Sequence, residues 1–138
     1  MNREQRAALL AAAEPAEVIE LADACLEAAP PPKVLVSPEV GCVSVQVREP
    51  IVRDRFLLGD VLACRAEVEL DGARGWAMRL GDDRAAALAA AILDAAVESG
   101  RARAEVEQLC ARVAERQRLA EDTEWAELAP TIVEFEEL

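Results

Sequence analysis

From Pro38 to Ala95 the chain is a series of short β-like runs cut by glycines: PEVGCVSVQVR, RFLLGDVLACR, DGARGWAMRLG and then AILDAA. Runs this short, stopped by residues that permit reversals, predict an antiparallel β-meander leading into an alanine-rich helix. Val43, Val45 and Val47 alternate with Ser44, Gln46 and Arg48, which separates an apolar face from a polar one. Leu62, Cys64, Ala66, Val68 and Leu70 alternate in the same way with Ala63, Arg65, Glu67 and Glu69. Asp71-Gly72 supplies a turn able to adopt positive φ, and Trp76, Met78 and Leu80 are expected to form the apolar side of the returning strand. At least three strands follow, at about 42–48, 60–70 and 74–80.

Helices are expected on both sides of this sheet. Asn2 to Ala13 has helical spacing with Asn2 as cap, and Pro15 suits the first turn of a second helix running to Ala28. The tract Ala29-Pro30-Pro31-Pro32 cannot continue a helix and reads as a connector at 29–32. Asp82 is the expected N-cap of the alanine-rich helix at about 83–99, and Gly100 its terminator. A further helix at about 101–119 places Val106, Leu109, Cys110 and Val113 on one side. Pro130 is expected to close any helix around Trp125, leaving Thr131–Phe135 as a short edge-like strand. The fold class is therefore α+β, and 138 residues make a single domain, 1–138.

Composition narrows the function. The formal charge is −12 and no basic stripe is present, which argues against nucleic-acid binding. The tail 121–138 holds seven acids (Glu121, Asp122, Glu124, Glu127, Glu134, Glu136, Glu137) and no base, suiting either solvent or a basic partner groove. Hydrophobic residues are 53% of the chain but aromatics only 3%, because alanine supplies much of the apolar count. Such a core buries little area per residue, so a partner surface would add to its stability. Cys25, Cys42, Cys64 and Cys110 stand far apart with no histidine beside them. They read as small buried hydrophobes kept reduced rather than as metal ligands. Neither a signal peptide nor a membrane-length apolar run is visible, so a cytoplasmic location is expected.

The residues that chemistry would need are scarce. Without histidine or tyrosine, and with one lysine (Lys33) and three serines, the chain lacks the usual base for an activated nucleophile. Glu67, Glu69 and Asp71 are carboxylate candidates but alternate along an expected solvent face. Arg48, Arg53, Arg55 and Arg65 flank the loop Glu49–Asp54. Guanidinium forks grip phosphonate, phosphate or carboxylate oxygens, so this loop reads as a contact for an anion or an acidic neighbour. Surface pairing with Glu49, Asp54 and Asp60 is the other reading.

The order PE-x-G, F-x-x-GD-x-x-x-x-R, DG-x-x-G-x-x-x-x-LG and an LDA helix resembles the PhnG family, a subunit of the bacterial carbon-phosphorus lyase complex. The matching positions are Gly41, Phe56, Gly59, Asp60, Arg65, Asp71, Gly72, Gly75, Gly81 and Asp94, all read as structural rather than catalytic. One departure is EPIVRDRF, where family members carry a glycine-rich GG-x-G segment before the phenylalanine. The resemblance implies related H, I and J subunits as partners. It also implies a complex that replaces the adenine of MgATP by a phosphonate, giving a ribose 1-phosphonate 5-triphosphate. This chain alone would bind no cofactor and would play a supporting, non-catalytic role. A freestanding interaction module and a small-anion-binding protein using the Arg48–Arg65 region are the alternatives.

Overall fold

The computed structural model describes residues 1–48 and 51–137, and their side chains except those of Val47 and residues 129–137. Seven elements follow in order: α1 (Arg3–Ala12), α2 (Pro15–Glu27), β1 (Lys33–Arg48), β2 (Arg55–Leu70), β3 (Ala73–Leu80), α3 (Arg84–Glu98) and α4 (Arg103–Glu137). The strands form one antiparallel meander in the order β1-β2-β3, as the alternation and the glycines require. The connector at 29–32 separates α2 from β1, and β1 and β2 begin earlier than the alternation alone indicated.

Local signals set most helix ends. Asn2 accepts from the Gln5 backbone N–H at 2.8 Å while Gln5 Oε1 accepts from the Asn2 N–H at 2.9 Å, a reciprocal cap. Pro15 stands in the first turn of α2. The N-cap of α3 is Asp83, not Asp82: its side chain accepts from the Ala86 N–H at 3.0 Å. The three-residue reach of a capping carboxylate decides between the two aspartates. Gly100 follows the helix at φ +84° and lets the chain turn into α4.

Helix α3 is the centre of the molecule. Eleven of its 15 residues are buried, because the sheet covers one side and α1, α2 and α4 pack around the rest. Cys64, Ala66, Val68 and Leu70 of β2 meet this core together with Ala77 of β3. The inward face of β3 is thus Gly75, Ala77 and Arg79; Trp76 and Leu80 point outward and Met78 is half-buried, the reverse of the alternation expected from their side chains. The register gives the reason. The Asp71-Gly72 turn, with both residues at positive φ, sets Val68 opposite Gly75 and Ala66 opposite Ala77. A Cβ on Gly75 would lie 2.6 Å from Ala95 Cβ and closer still to the backbone of Ala91 and Ala95. Helix and strand approach so closely that the large side chains of β3 fit only on the other face.

Helix α4 also departs from expectation. It does not end near Leu119 and no strand forms at Thr131–Phe135; the backbone is helical to Glu137, through Pro130. A strand needs an edge to pair with, and residues 114–128 are exposed along a helix that leaves the core after Val113. Pro130 is carried at the cost of one helical hydrogen bond.

Candidate functional site

Pairing of β3 with β2 covers only Ala63–Leu70, whereas β1 pairs with β2 along almost its whole length. Cys42–Arg48 and Arg55–Leu62 therefore leave the three-stranded body as a two-stranded ribbon, about 25 Å long at roughly 3.3 Å per residue. None of its described side chains is buried. Phe56, Leu57 and Leu58 are 47%, 60% and 66% exposed. Phe56 and Leu57, consecutive paired residues before the register shift, lie on opposite faces, and Leu58 is the unpaired residue at the shift itself. A ribbon lying on a single surface would need one apolar face; this one has two. Isolated two-stranded ribbons are marginal in water, so a surface laid over the arm would stabilise it.

The predicted arginine group is divided. Arg48 stands directly opposite Arg55 near the tip, and Arg53 lies between them in sequence at φ +64°. Arg65 is ten residues from Arg55, about 33 Å along an extended strand, and pairs with Glu39 at 2.5 Å. Like charges facing each other across a ladder repel, so the Arg48–Arg55 pair favours an anion or carboxylate nearby. Asp60 accepts from the Ser44 hydroxyl at 3.0 Å instead of pairing with this tip. Glu49, another of the three acids expected to pair with these arginines, lies outside the described residues.

Asp94 of the LDA helix is the buried polar hub. Its Oδ1 accepts from Arg6 Nη2 at 2.7 Å and Nε at 3.2 Å, and its Oδ2 from Arg3 Nη2 at 2.9 Å and the Trp76 N–H at 3.0 Å. Arg6 also donates to Glu98 at 2.6 Å. Burial pulls the Arg6 pKa down, but Glu98 and Asp94 more than offset it and hold it above its ordinary value. With both carboxylate oxygens occupied, the cluster ties α1, β3 and α3 together and leaves no oxygen directed at a substrate. Arg79, on the inward face of β3, donates to the carbonyls of Leu10 and Ala13 at 2.5 and 2.6 Å and closes the end of α1. Desolvation lowers its pKa, with partial compensation from Asp83 and Glu14.

Cys64 and Cys110 are buried and Cys25 half-buried, and desolvation pushes all three thiols up, away from the reactive thiolate. Cys42 is exposed on the arm, against the expectation that it is a core residue. It lies beyond the end of β3, where no helix covers the sheet. Among the described residues no group of three or more His, Cys, Asp or Glu is placed to hold a metal ion. No helix there is long and apolar enough to cross a membrane.

The other family-pattern positions fall on the meander. Gly41 and Gly59 sit on β1 and β2, Gly81 donates its N–H to the Leu62 carbonyl at 2.8 Å, and Asp71 accepts from Arg101 at 3.2 Å. Sequence reasoning missed the outward turn of Trp76 and the length of the arm. The signal was available in the small Gly75 and Ala77, which match a close-packed helix better than Trp76 and Met78 do.

Comparison with known proteins fits this picture. All of residues 1–138 match the family described as phosphonate metabolism protein PhnG. A Rhizobium meliloti (strain 1021) protein, alpha-D-ribose 1-methylphosphonate 5-triphosphate synthase subunit PhnG, is 39% identical over 99 residues, which is 71% of this chain and 64% of the relative. The family match spans the whole chain, and the chain belongs to the PhnG family.

Proposed function

We propose that this chain is a supporting, non-catalytic subunit of a cytoplasmic phosphonate-processing assembly. In this reading the assembly couples a phosphonate to the ribose C1 of MgATP with loss of adenine; the name of the Rhizobium relative gives a ribose 1-methylphosphonate 5-triphosphate as its product. Its partners are the related H, I and J subunits. One observation carries the reading. The described aromatic side chains, Phe56, Trp76 and Trp125, all stand outside a core built from alanine, valine and leucine. Aromatic side chains concentrate the energy of protein interfaces, and an arm apolar on both faces suits insertion into a neighbouring subunit.

The test is co-expression of the tagged chain with H, I and J candidates from one genome, followed by affinity capture and size-exclusion chromatography. Wild type should co-elute with at least one of them, and Phe56→Ser with Leu58→Ser should release it. A folded wild-type chain that elutes alone beside soluble partners rejects the proposal.

The facing Arg48 and Arg55 favour a second reading, in which the tip binds a small anion. It requires inorganic phosphate or a phosphonate to stabilise the isolated chain, by about 2.7 kcal/mol at a hundredfold excess over Kd. Arg48→Ala should remove that stabilisation.

A further inference from the structure

Helix α4 changes character after Val113. Up to that point Val106, Leu109, Cys110 and Val113 are buried in the core, and Arg112 and, just past it, Arg116 reach back to Glu17 of α2 at 3.8 and 2.7 Å. From Ala114 to Leu128 every residue is exposed. The helix nevertheless continues to Glu137, about 36 Å further at 1.5 Å per residue.

Three features of this extension point the same way. Trp125 and Leu128, 66% and 54% exposed, are one helical turn apart and line a single shallow depression with Glu121 and Glu124. In sequence the same step recurs seven residues on, as Ile132 and Phe135, the spacing of a seam that meets another surface. The charge is one-sided: Arg118 is engaged by Glu115 at 2.6 Å and Asp122 at 3.0 Å, and beyond it come acids and no base. Finally, the helix is poorly supported by its own sequence. Negative charge near a helix C-terminus opposes the macrodipole, and an interior proline costs about 3 kcal/mol.

A partner that covers the apolar seam and supplies cations corrects all three at once. A second copy of this chain does not, because pairing the extensions would bring two acidic flanks together. We propose that the extension of α4 beyond Val113 docks in a groove of a partner subunit that has an apolar floor and a rim of lysine or arginine, with Trp125 as the anchor. The inference rests on the subunit reading above and adds a second contact, separate from the β-arm.

The test uses the full-length chain and its captured partner subunit. Trp125→Ala with Leu128→Ala should weaken the complex about tenfold or more, while the thermal transition of the free chain stays in place. Replacing Glu121, Glu124 and Glu127 by glutamine should weaken it at low salt and flatten its salt dependence. Unchanged affinity in both variants overturns the docking proposal and leaves the subunit reading standing. Failure of wild type to capture any subunit overturns both. A dimer of the isolated chain that Trp125→Ala abolishes overturns the choice of a cationic partner in favour of a second copy.

Discussion

The two ends of the β1–β2 pair are built in opposite ways. At the end covered by α3, Cys64 is buried and Ala66 and Val68, small groups, share the core with the alanines of α3. At the far end, Phe56, Leu57 and Leu58 face outward with no helix over them. Leu70 aside, bulk and burial run opposite to each other along β2. Small residues let α3 approach the sheet so closely that Gly75 has no room for a Cβ. The larger apolar groups, which release more free energy per residue when covered, remain available for a partner. The formal charge of −12 opposes self-association through those exposed groups.

Perturbing the covered end should have the largest effect. Asp94→Ala leaves the buried Arg6 with Glu98 alone and takes an acceptor from Arg3 and the Trp76 N–H, and should cost about 3–5 kcal/mol in urea unfolding; a loss below about 1 kcal/mol would remove Asp94 from its place as the hub. Gly75→Ala should cost about 1–3 kcal/mol, because β3 must move off α3 to admit one methyl group. Gly72→Val, at φ +83°, should cost about 1–2 kcal/mol and impair folding. An unchanged melting temperature would rule out Asp71-Gly72 as the turn that sets the register.

At the bare end the contrast reverses. Phe56→Ser with Leu58→Ser should alter monomer stability by no more than about 0.5 kcal/mol, yet abolish partner capture. A clear drop in melting temperature would mean the arm packs on its own body, which breaks the comparison. The smallest effect is at the tie between α2 and α4. The hydrogen bond from Arg116 holds the Glu17 carboxyl below its ordinary range. Its stabilising contribution is therefore present above the unfolded carboxylate value and lost as pH falls through the lower folded value. Wild type should weaken below about pH 4, and Glu17→Gln should flatten that acid limb slightly.

The meander, the two N-terminal helices and the alanine-rich helix were legible because each depends on neighbours in sequence: alternation, a capping side chain, a turn with positive φ. Where two local signals competed, only the assembled structure decided. Trp76, Met78 and Leu80 read as a core stripe by hydrophobicity, but the face of β3 follows from the register with β2 and from the distance to α3, both long-range quantities. Thr131–Phe135 reads as a strand by composition, yet a strand exists only with an edge beside it. The four arginines stand within 18 positions of one another, but an extended strand carries Arg65 far from the tip that holds Arg48 and Arg55.

What the sequence determined by itself was therefore the set of elements, their order and the scarcity of nucleophile and base. The tertiary structure alone decided which apolar groups are enclosed and which are left outside. Burial depends on what lies opposite a side chain across the fold, and alternation along one strand cannot specify that.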